Sequence, residues 1–397
     1  MIDVTPSTSE SHAPSRDEHH AVIVVGGGPG GLAVAAELRR VRIPTVVVEQ
    51  ADALAATWRG TYDRLRLNTS RLTSRLPGAR YPRGSGMFPS RDQFVTYLER
   101  YAERANVEVR LGVRVERIDR GRLWRVRAAA HEMHAEHVVI ASGYAREPFV
   151  PAWPGRDRFK GRLLHASEYR NARQFRDCDV LVAGCGSSGM EIAYDLATNG
   201  AARVRLAVRT PPNIVLRSLA GVPGDPLAVA MLKLPTRIAD AQMRLAQRVV
   251  LGDLSAYGLP AADEGPFTRL ARTGAGPAVI DREIIDAVKQ GLIEIVSGVE
   301  ALDETAVTLA AEERVEPDAI IAATGYRPAL QPIVGHLGVL DEHGIPRVVG
   351  GHEAVSGLRF VGFRPVPGQI RLLGIEARTA AREIARSREQ LPAPRAT

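Results

Sequence analysis

Two glycine-rich segments of this sequence have the residue types and the spacing that bind a dinucleotide. The first, residues 26–31, reads Gly-Gly-Gly-Pro-Gly-Gly and matches the pattern GxGxxG. In this pattern Gly26 allows a tight turn, Gly28 lets the backbone approach a pyrophosphate, and Gly31 allows the helix to pack closely on the strand. The next helix points its free N–H groups at that pyrophosphate. We therefore predict that Gly26, Gly28, Gly30 and Gly31 bind a pyrophosphate.

The residue at the end of the following strand indicates which dinucleotide binds there. Glu49 lies about 20 residues after the loop, where an acid accepts hydrogen bonds from the ribose hydroxyls of an adenosine. A carboxylate at this position suits a cofactor that has no 2′-phosphate. We interpret the first loop and Glu49 as an FAD site.

The second loop, residues 184–189, reads Gly-Cys-Gly-Ser-Ser-Gly and repeats the pattern. Here the following strand ends at Arg209, and no acid is present. A guanidinium at this position can bind a 2′-phosphate through two parallel hydrogen bonds, which favours NADPH over NADH. The alternative is an arginine that is only solvated at a strand end. The residues predicted to contact NADPH are Gly184, Gly186, Ser187, Ser188, Gly189 and Arg209.

The hydrophobic pattern supplies the elements that must position these loops. Each loop follows a continuous β-branched run, typical of a buried parallel strand, and precedes a helix and a second strand. We predict an α/β fold with two Rossmann-like dinucleotide-binding domains, the NADPH domain being inserted into the FAD domain. The predicted boundaries are 21–150 and 317–390 for the FAD domain, and 151–316 for the NADPH domain, with a helical insertion at about 211–257.

The same periodicity predicts individual elements. The predicted strands are 21–25, 45–49, 137–142, 179–183, 203–208, 319–323 and 359–363, with strand-like alternation at 107–118. The predicted helices are 32–40, 91–104, 190–198 and 375–388.

Composition limits the remaining classes of function. The chain has 397 residues, 24% of them charged, with a formal net charge of +7. Nearly all of the positive charge is arginine, and it is scattered, so we expect no nucleic-acid partner. Residues 1–20 lack the basic start and apolar stretch of a signal peptide, and we expect a disordered lead-in there. Residues 391–397 form a polar tail, so we also expect no membrane anchor.

Cysteines and histidines add no further chemistry. Six residues separate Cys178 from Cys185, so the chain lacks the CxxC pair of dithiol reductases, and its cysteine usage fits a reducing, cytoplasmic location. His131, His134 and His137 have a spacing that invites a metal site, but no matching acids or cysteines accompany them. We predict solvated or structural roles for these histidines and no bound metal.

One further motif lies between the two loops. Phe159, Gly161, His165 and Tyr169 fit FxGxxxHxxxY, and with this motif the sequence resembles the flavin-containing monooxygenases. The resemblance covers roughly residues 21–384 and is closest to the plant YUCCA group. The segments that look most like that group are residues 61–78, 88–103, 180–196, 252–260 and 323–328.

Two positions depart from the plant pattern. Asn68 and Thr69 stand where the plant enzymes usually carry His-Leu, and Asn68 resembles an asparagine that other flavin monooxygenases place beside the flavin. Trp58 resembles the tryptophan of the family's GGTW segment, although alanines replace the glycines. The resemblance implies that Asn68 supports the flavin adduct or the NADP⁺ amide, with a structural turn role as the alternative. It also implies FAD contacts from Gln50, Trp58, Val115, Thr324 and Gly325.

The resemblance implies a reaction as well. NADPH reduces FAD, NADP⁺ stays bound, and reduced flavin takes up O₂ as a C4a-(hydro)peroxyflavin that oxygenates a small molecule. The substrate is a 2-oxo acid such as indole-3-pyruvate, which loses its carboxylate, or an amine or sulfide. Two other interpretations stay open: an NADPH-dependent flavin oxidoreductase that inserts no oxygen, and a non-catalytic flavin-binding protein. No sequence feature identifies the arginine that would hold a substrate carboxylate.

Overall fold

The computed structural model describes residues 18–389 apart from residues 130, 275, 365 and 367. Residues 1–17 of the predicted lead-in and the predicted tail at 391–397 lie outside the described residues. Residues 18–20, also predicted as lead-in, begin the first strand instead, so this part of the prediction is wrong. They pair with residues 133–135 of a neighbouring strand, a contact that their polar side chains hide from any pattern based on hydrophobicity.

The strands are numbered in chain order. They are β1 (Glu18–Val25), β2 (Thr45–Val48), β3 (Glu108–Arg110), β4 (Val115–Asp119), β5 (Trp124–Ala128), β6 (His131–Ile140), β7 (Glu147–Pro148), β8 (Arg162–His165), β9 (Asp179–Ala183), β10 (Arg203–Val208), β11 (Ile214–Leu216), β12 (Ser218–Leu219), β13 (Val222–Pro223), β14 (Ala278–Ile280), β15 (Glu294–Ser297), β16 (Val299–Leu302), β17 (Val307–Leu309), β18 (Arg314–Val315), β19 (Ala319–Ala322), β20 (Tyr326–Arg327), β21 (Glu353–Val355) and β22 (Leu358–Phe360).

The α-helices are numbered in the same way. They are α1 (Pro29–Arg40), α2 (Ala56–Arg59), α3 (Arg91–Arg104), α4 (Ser187–Thr198), α5 (Asp225–Met231), α6 (Thr236–Leu251), α7 (Pro266–Thr273), α8 (Arg282–Lys289), α9 (Gln331–Val334) and α10 (Gln369–Glu389). None of these described helices combines the length and the apolar composition that a membrane span needs.

The first sheet has eight strands. β21, β22, β6, β1, β2 and β3 lie side by side in that order, and the β4–β5 hairpin joins through β5 at β6. The central strand β1 runs parallel to β2 and β6, with Val24 opposite Val47 and Val139. All three valines are fully buried, as expected at the centre of a parallel sheet. Helices α1, α3 and α10 cover one face, and the hairpin and α9 cover the other.

The second sheet has five parallel strands in the order β15, β10, β9, β19, β8. Helices α4 and α8 pack on one face, and the antiparallel strands β16, β17 and β18 pack on the other. Strands β9 and β10 match their predictions residue for residue. The α/β class is therefore confirmed, with a strand–loop–helix–strand unit in each of two parallel sheets.

The position of β19 corrects one predicted boundary. We expected the chain to rejoin the first domain at residue 317, but β19 lies between β9 and β8 in the second sheet, with Ile320 opposite Leu181 and Leu163. A short apolar run fits the middle of either parallel sheet, so its composition does not tell which sheet receives it. The chain crosses back after β20, which pairs with β7 of the outgoing segment.

The predicted helical insertion at about 211–257 is of mixed structure. It contains α5 and α6, together with the short strands β11, β12 and β13. Strand β11 pairs in parallel with β14, which lies beyond α7. Strands of two or three residues are too short to show a period of their own, so the sequence pattern indicated only the helices.

Candidate functional site

The first glycine loop has the backbone geometry that its sequence predicts. Gly26 has φ = 115°, a backbone conformation that residues with a side chain rarely adopt. A Cβ atom there would lie 2.8 Å from the carbonyl oxygen of Ala141. A Cβ atom at Gly31 would lie 1.9 Å from the carbonyl oxygen of Gly26. At Gly28 a Cβ atom would meet nothing within 4 Å. Packing thus requires two of these glycines, and the third faces open space that a ligand can enter.

The polar groups around this loop suit an anion next to a hydroxyl group. No side chain caps the first N–H groups of α1, so they and the positive end of the helix dipole remain available to an anion. Glu49 directly follows β2. Its Oε2 accepts a hydrogen bond from the Gly27 N–H at 2.6 Å, and its Oε1 accepts one from the Ala51 N–H at 3.0 Å. The carboxylate is therefore fixed beside the loop.

A cleft with about 1190 Å³ of empty volume opens at this loop. It brings together most of the residues that the sequence assigned to FAD. Those that line it are Gly26, Gly28, Gly30, Glu49, Gln50, Trp58 and Val115. The volume and the fixed carboxylate suit a large nucleotide cofactor.

Sequence reasoning missed the opposite wall of the cleft. Ser142, Tyr144 and Arg146 follow β6, and Gly362 follows β22, and all four line the cleft. Both strands are parallel neighbours in the first sheet, and ligands of such sheets bind at the carboxyl ends of the strands. That rule, applied to the strand predicted at 137–142, is the signal that could have found them.

Three predicted FAD residues do not line the cleft. Gly31 contributes through the close packing described above. Thr324 and Gly325 follow β19 in the second sheet: the Thr324 hydroxyl donates to the Phe149 carbonyl, and the Gly325 carbonyl lies 3.0 Å from Nε2 of His165. The structure therefore places Thr324 and Gly325 where the chain crosses between the two sheets.

The second loop repeats the first one closely. Gly184 has φ = 114°, and a Cβ atom at Gly189 would lie 1.8 Å from the carbonyl oxygen of Gly184. At Gly186 a Cβ atom would meet nothing within 4 Å, and no side chain caps the start of α4. The backbone of this loop therefore also presents uncapped N–H groups to open space.

Arg209 directly follows β10, at the place that Glu49 has in the first unit. It is exposed and forms no ion pair with any described residue. A Cβ atom at Gly298 would lie 3.0 Å from its Cα and Cβ, so the glycine leaves room for the arginine stem. The guanidinium group can therefore meet an anion at the second loop without first losing another partner.

Asn68, predicted to act beside the flavin or the NADP⁺ amide, lies against the second loop. Its Nδ2 is 3.4 Å from Oγ of Ser187, and the same oxygen accepts a hydrogen bond from the Val279 N–H at 2.9 Å. Next to this contact, burial raises the pKa of the Tyr62 phenol, and the neighbouring Ser188 opposes that shift. The segment 62–68 thus joins the two glycine-loop units at the predicted NADPH site.

The residues of the FxGxxxHxxxY motif build the framework and line neither glycine loop. The ring of Phe159 packs over Gly161, where a Cβ atom would come within 2.5 Å of it. His165 is buried, its Nδ1 lies 2.9 Å from Oγ of Ser167, and burial lowers its pKa. The buried Tyr169 hydroxyl donates to Asp195 of α4 at 2.5 Å. The motif therefore fixes β8 and the crossing segment relative to α4.

The three histidines of the suspected metal spacing do not converge. They lie on β6, where side chains alternate between the two faces, so His134 points away from the face shared by His131 and His137. Buried His137 lies near Arg359 and Ser387 instead. Among the described residues, no group of histidines, cysteines and acids could hold a metal ion.

Fold and site together define an α/β oxidoreductase with two glycine-loop units. A family model described as pyridine nucleotide-disulphide oxidoreductase matches residues 23–215. The chain is 36% identical over 350 residues to indole-3-pyruvate monooxygenase YUCCA1 of Oryza sativa subsp. japonica, which covers 86% of each chain. The chain belongs to this family of YUCCA flavin monooxygenases.

Solved structures show the same fold at lower identity. A flavin-containing monooxygenase from Stenotrophomonas maltophilia superposes with a TM-score of 0.70 at 23% identity, over 93% of this chain and 99% of that one. A structure of OTEMO in complex with FAD and NADP superposes with a TM-score of 0.71 at 16% identity, over 94% of this chain and 87% of that one. Both cysteines of this chain, Cys178 and Cys185, are free.

Proposed function

We propose that the first cleft binds FAD and the second loop binds NADPH, each in a Rossmann-like domain, with the NADPH domain inserted into the FAD domain. The observation that carries this proposal is a nearly identical pair of glycine loops followed by residues of opposite charge, Glu49 and Arg209. Glu49 suits the ribose hydroxyls of FAD, and Arg209 suits the 2′-phosphate of NADPH. The OTEMO complex supports the same pair of cofactors for this fold.

We further propose that the enzyme oxygenates an aryl or alkyl 2-oxo acid, such as indole-3-pyruvate, with loss of CO₂. The YUCCA relatives support this substrate class through their names. The reaction balances as 2-oxo acid, O₂, NADPH and a proton giving the carboxylate one carbon shorter, CO₂, NADP⁺ and water. Bound FAD supplies the redox chemistry, by accepting a hydride from NADPH and activating O₂.

The protein's own part in this reaction is positioning and the exclusion of water. The N–H groups of α1 and α4 hold the two pyrophosphates, while Glu49 and Arg209 fix the adenosine ends. Asn68 lies where the two units meet and can hold the nicotinamide end of NADPH toward the first cleft. Apolar lining residues such as Trp58 and Ile333 keep water from the reacting centre, so the proposed chemistry needs no acid–base pair.

The test is to supply the FAD-loaded enzyme with NADPH, phenylpyruvate or indole-3-pyruvate, and ¹⁸O₂. Free hydrogen peroxide also decarboxylates 2-oxo acids, so catalase must be present to remove any that leaks from the flavin. The proposal expects a carboxylate product with one ¹⁸O atom, formed at the same rate with and without catalase.

Two results would point elsewhere. Product that disappears on adding catalase would mean that the enzyme releases peroxide and inserts no oxygen itself. No product from 2-oxo acids, together with an N- or S-oxide from an amine or sulfide, would replace the substrate class but keep the monooxygenase. Mass spectrometry of the products separates these cases.

A further inference from the structure

A second cleft lies where residues 63–66 and 87–90 approach residues of the second unit. It has about 1060 Å³ of empty volume and shares no lining residue with the first cleft. Its polar lining includes three arginines, Arg64, Arg66 and Arg217, and three acids. What this cleft can bind depends on which of these charged groups lack a partner.

All three acids of this cleft already have partners. Asp63 accepts hydrogen bonds from Arg91 at 2.9 Å and from Asn171 at 2.7 Å. Glu283 pairs with Arg64, and Asp281 pairs with Arg217. Each carboxylate is therefore satisfied and does not call for a cation.

Arg66 is in the opposite situation. Its side chain reaches only the Phe88 carbonyl, through a long contact of 3.4 Å, and no described carboxylate lies within ion-pair distance. Among the three arginines that line the cleft, exposed Arg66 is the one without an acidic partner. An unmatched guanidinium in a concave site favours an anion with two oxygen atoms.

The two paired arginines are also short of acceptors. The Arg217 side chain is only 1% exposed, and its two terminal nitrogens bind Asp281 and Glu191. Its Nε is buried and has no hydrogen-bond partner, and the same holds for Nε of Arg64. Buried N–H groups of this kind are costly to leave unpaired.

An aromatic wall stands next to these charges. Phe88 and Met87 line the cleft, and the Arg217 guanidinium lies 5.9 Å from the centre of the Phe88 ring. A ligand that joins a carboxylate to an aryl group would therefore place each part against a matching surface.

The cleft lies close to the residue proposed to position NADPH. The backbone of Arg66 pairs with Ser90 in an isolated antiparallel bridge, and Asn68 follows two residues later. Even when fully extended, two residues of chain span only about 7 Å. A carboxylate held at Arg66 thus lies within reach of the junction at Asn68 and Ser187.

We propose that this second cleft binds the carboxylate of an aryl 2-oxo acid substrate, with Arg66 as the residue that contacts the carboxylate and Phe88 as the surface that contacts the aryl group. This proposal rests on the 2-oxo acid function proposed above and identifies the anchor that the sequence did not.

The test uses an unreactive pair of ligands, phenylacetate and its neutral analogue phenylacetamide, titrated calorimetrically into the FAD-loaded enzyme. We expect phenylacetate to bind at least tenfold more tightly. The Arg66→Gln variant should lose most of this preference. The matched control is Arg237→Gln, because Arg237 is an exposed arginine of α6 outside both clefts. The control variant should keep the wild-type preference.

The possible outcomes separate this proposal from the proposed function, because binding of phenylacetate needs no reaction. Arg66-dependent preference for phenylacetate supports the carboxylate site even if phenylpyruvate is not decarboxylated, in which case only the proposed reaction fails. No preference in the wild type, or an equal preference in Arg66→Gln, overturns the site even if phenylpyruvate is decarboxylated. If the carboxylate site and the proposed reaction are both correct, the KM for phenylpyruvate should rise at least tenfold in Arg66→Gln.

Discussion

The two glycine loops of this protein differ much less in their backbones than in the side chains that follow them. Their first glycines have φ values of 115° and 114°, and their last glycines approach the first carbonyl equally closely, at 1.9 and 1.8 Å for a hypothetical Cβ atom. The side chains at the ends of the next strands are Glu49 and Arg209, a carboxylate fixed to its loop and a guanidinium without an ion-pair partner. The backbone thus builds a general pyrophosphate site, and one side chain assigns the nucleotide.

The largest effect on cofactor binding should come from adding one methyl group to the last glycine of either loop. In Gly31→Ala and Gly189→Ala the new Cβ atom would overlap a carbonyl carbon or oxygen of the same loop, so the loop has to move. Overpacking of this kind costs about 1–3 kcal/mol. We expect Gly31→Ala to lose FAD on purification. We expect Gly189→Ala to keep FAD but to bind NADP⁺ at least tenfold more weakly, about 1.4 kcal/mol.

The middle glycine of each loop provides the control. A Cβ atom at Gly28 or Gly186 meets no protein atom within 4 Å, so without bound cofactor Gly28→Ala and Gly186→Ala should unfold at the same urea concentration as the wild type. Their affinity for FAD and NADP⁺ should fall nonetheless, because the methyl group occupies the approach to the pyrophosphate. The absorbance of bound FAD measures how much FAD each variant retains, and calorimetric titration measures its affinity for NADP⁺. Unchanged affinity in both middle-glycine variants would show that neither loop binds a pyrophosphate.

The next largest effect should come from the side chain that distinguishes the two units. Arg209→Gln removes the charge that is proposed to bind the 2′-phosphate, and a hydrogen bond to a charged group contributes about 1.5–3 kcal/mol. The ratio of kcat/KM for NADPH to that for NADH should therefore fall about tenfold to a hundredfold. Steady-state kinetics with both cofactors measures this ratio. An unchanged ratio would mean that another residue reads the 2′-phosphate.

A smaller effect should follow from removing the side-chain contact between the two units at Asn68. Its contact with Ser187 is long, at 3.4 Å, and a typical hydrogen bond contributes about 0.5–1.5 kcal/mol. We expect Asn68→Ala to release a larger share of the consumed NADPH as hydrogen peroxide, by up to about tenfold. Peroxide and product are measured in the same reaction. The neighbouring Thr69→Ser variant, which keeps its hydroxyl, should show the wild-type share, and equal peroxide from both variants would refute the role of Asn68.

Sequence predicted the local parts of this molecule well. Strands β9 and β10 and helix α3 agree with their predictions at both ends, because each has a strong hydrophobic period bounded by glycine, proline or a capping residue. Ser90 caps α3 in a reciprocal capping box with Gln93. Most of the residues assigned to FAD also line the first cleft. Gly26, Gly28, Gly30 and Glu49 follow from one local motif, and the family resemblance implied Gln50, Trp58 and Val115.

The parts that sequence did not predict depend on contacts between distant segments. The sheet that receives β19 is decided by its two neighbours, and its own four apolar residues fit either sheet. The second cleft forms only because the segment at 63–66 reaches the second unit beside the buried pair of Arg217 and Glu191. The hydrophobic period along a segment does not indicate which distant segment it will contact. The FxGxxxHxxxY motif identified the family, but its role in fixing the crossing segment became visible only in three dimensions.

Two buried histidines extend the comparison of the two sheets to proton binding. His137 of β6 lies 3.4 Å from Nη1 of Arg359, and burial, followed by the charge of Arg359, lowers its pKa from 6.5 to about 4. His165 at the end of β8 also has a pKa lowered by burial, but its hydrogen bond with the Gly325 carbonyl opposes that shift. In the first sheet a neighbouring cation therefore adds to the effect of burial and lowers the pKa of the histidine further. In the second sheet no cation does so, and a hydrogen bond opposes the effect of burial.

The smallest expected effect is the pH dependence of stability that follows from this contrast. The pKa of His137 is lower in the folded state than in the unfolded state, so unfolded chains bind more protons between pH 6.5 and about 4. The stabilisation is fully present above pH 6.5 and is lost as the pH falls through this window, at up to about 1.4 kcal/mol per pH unit. Urea unfolding at pH 7 and pH 5 should therefore show a smaller loss of stability in His137→Gln than in the wild type. His165→Gln should change the loss by less, and an equal change in both variants would contradict the role of Arg359, since that cation is what distinguishes the two sites.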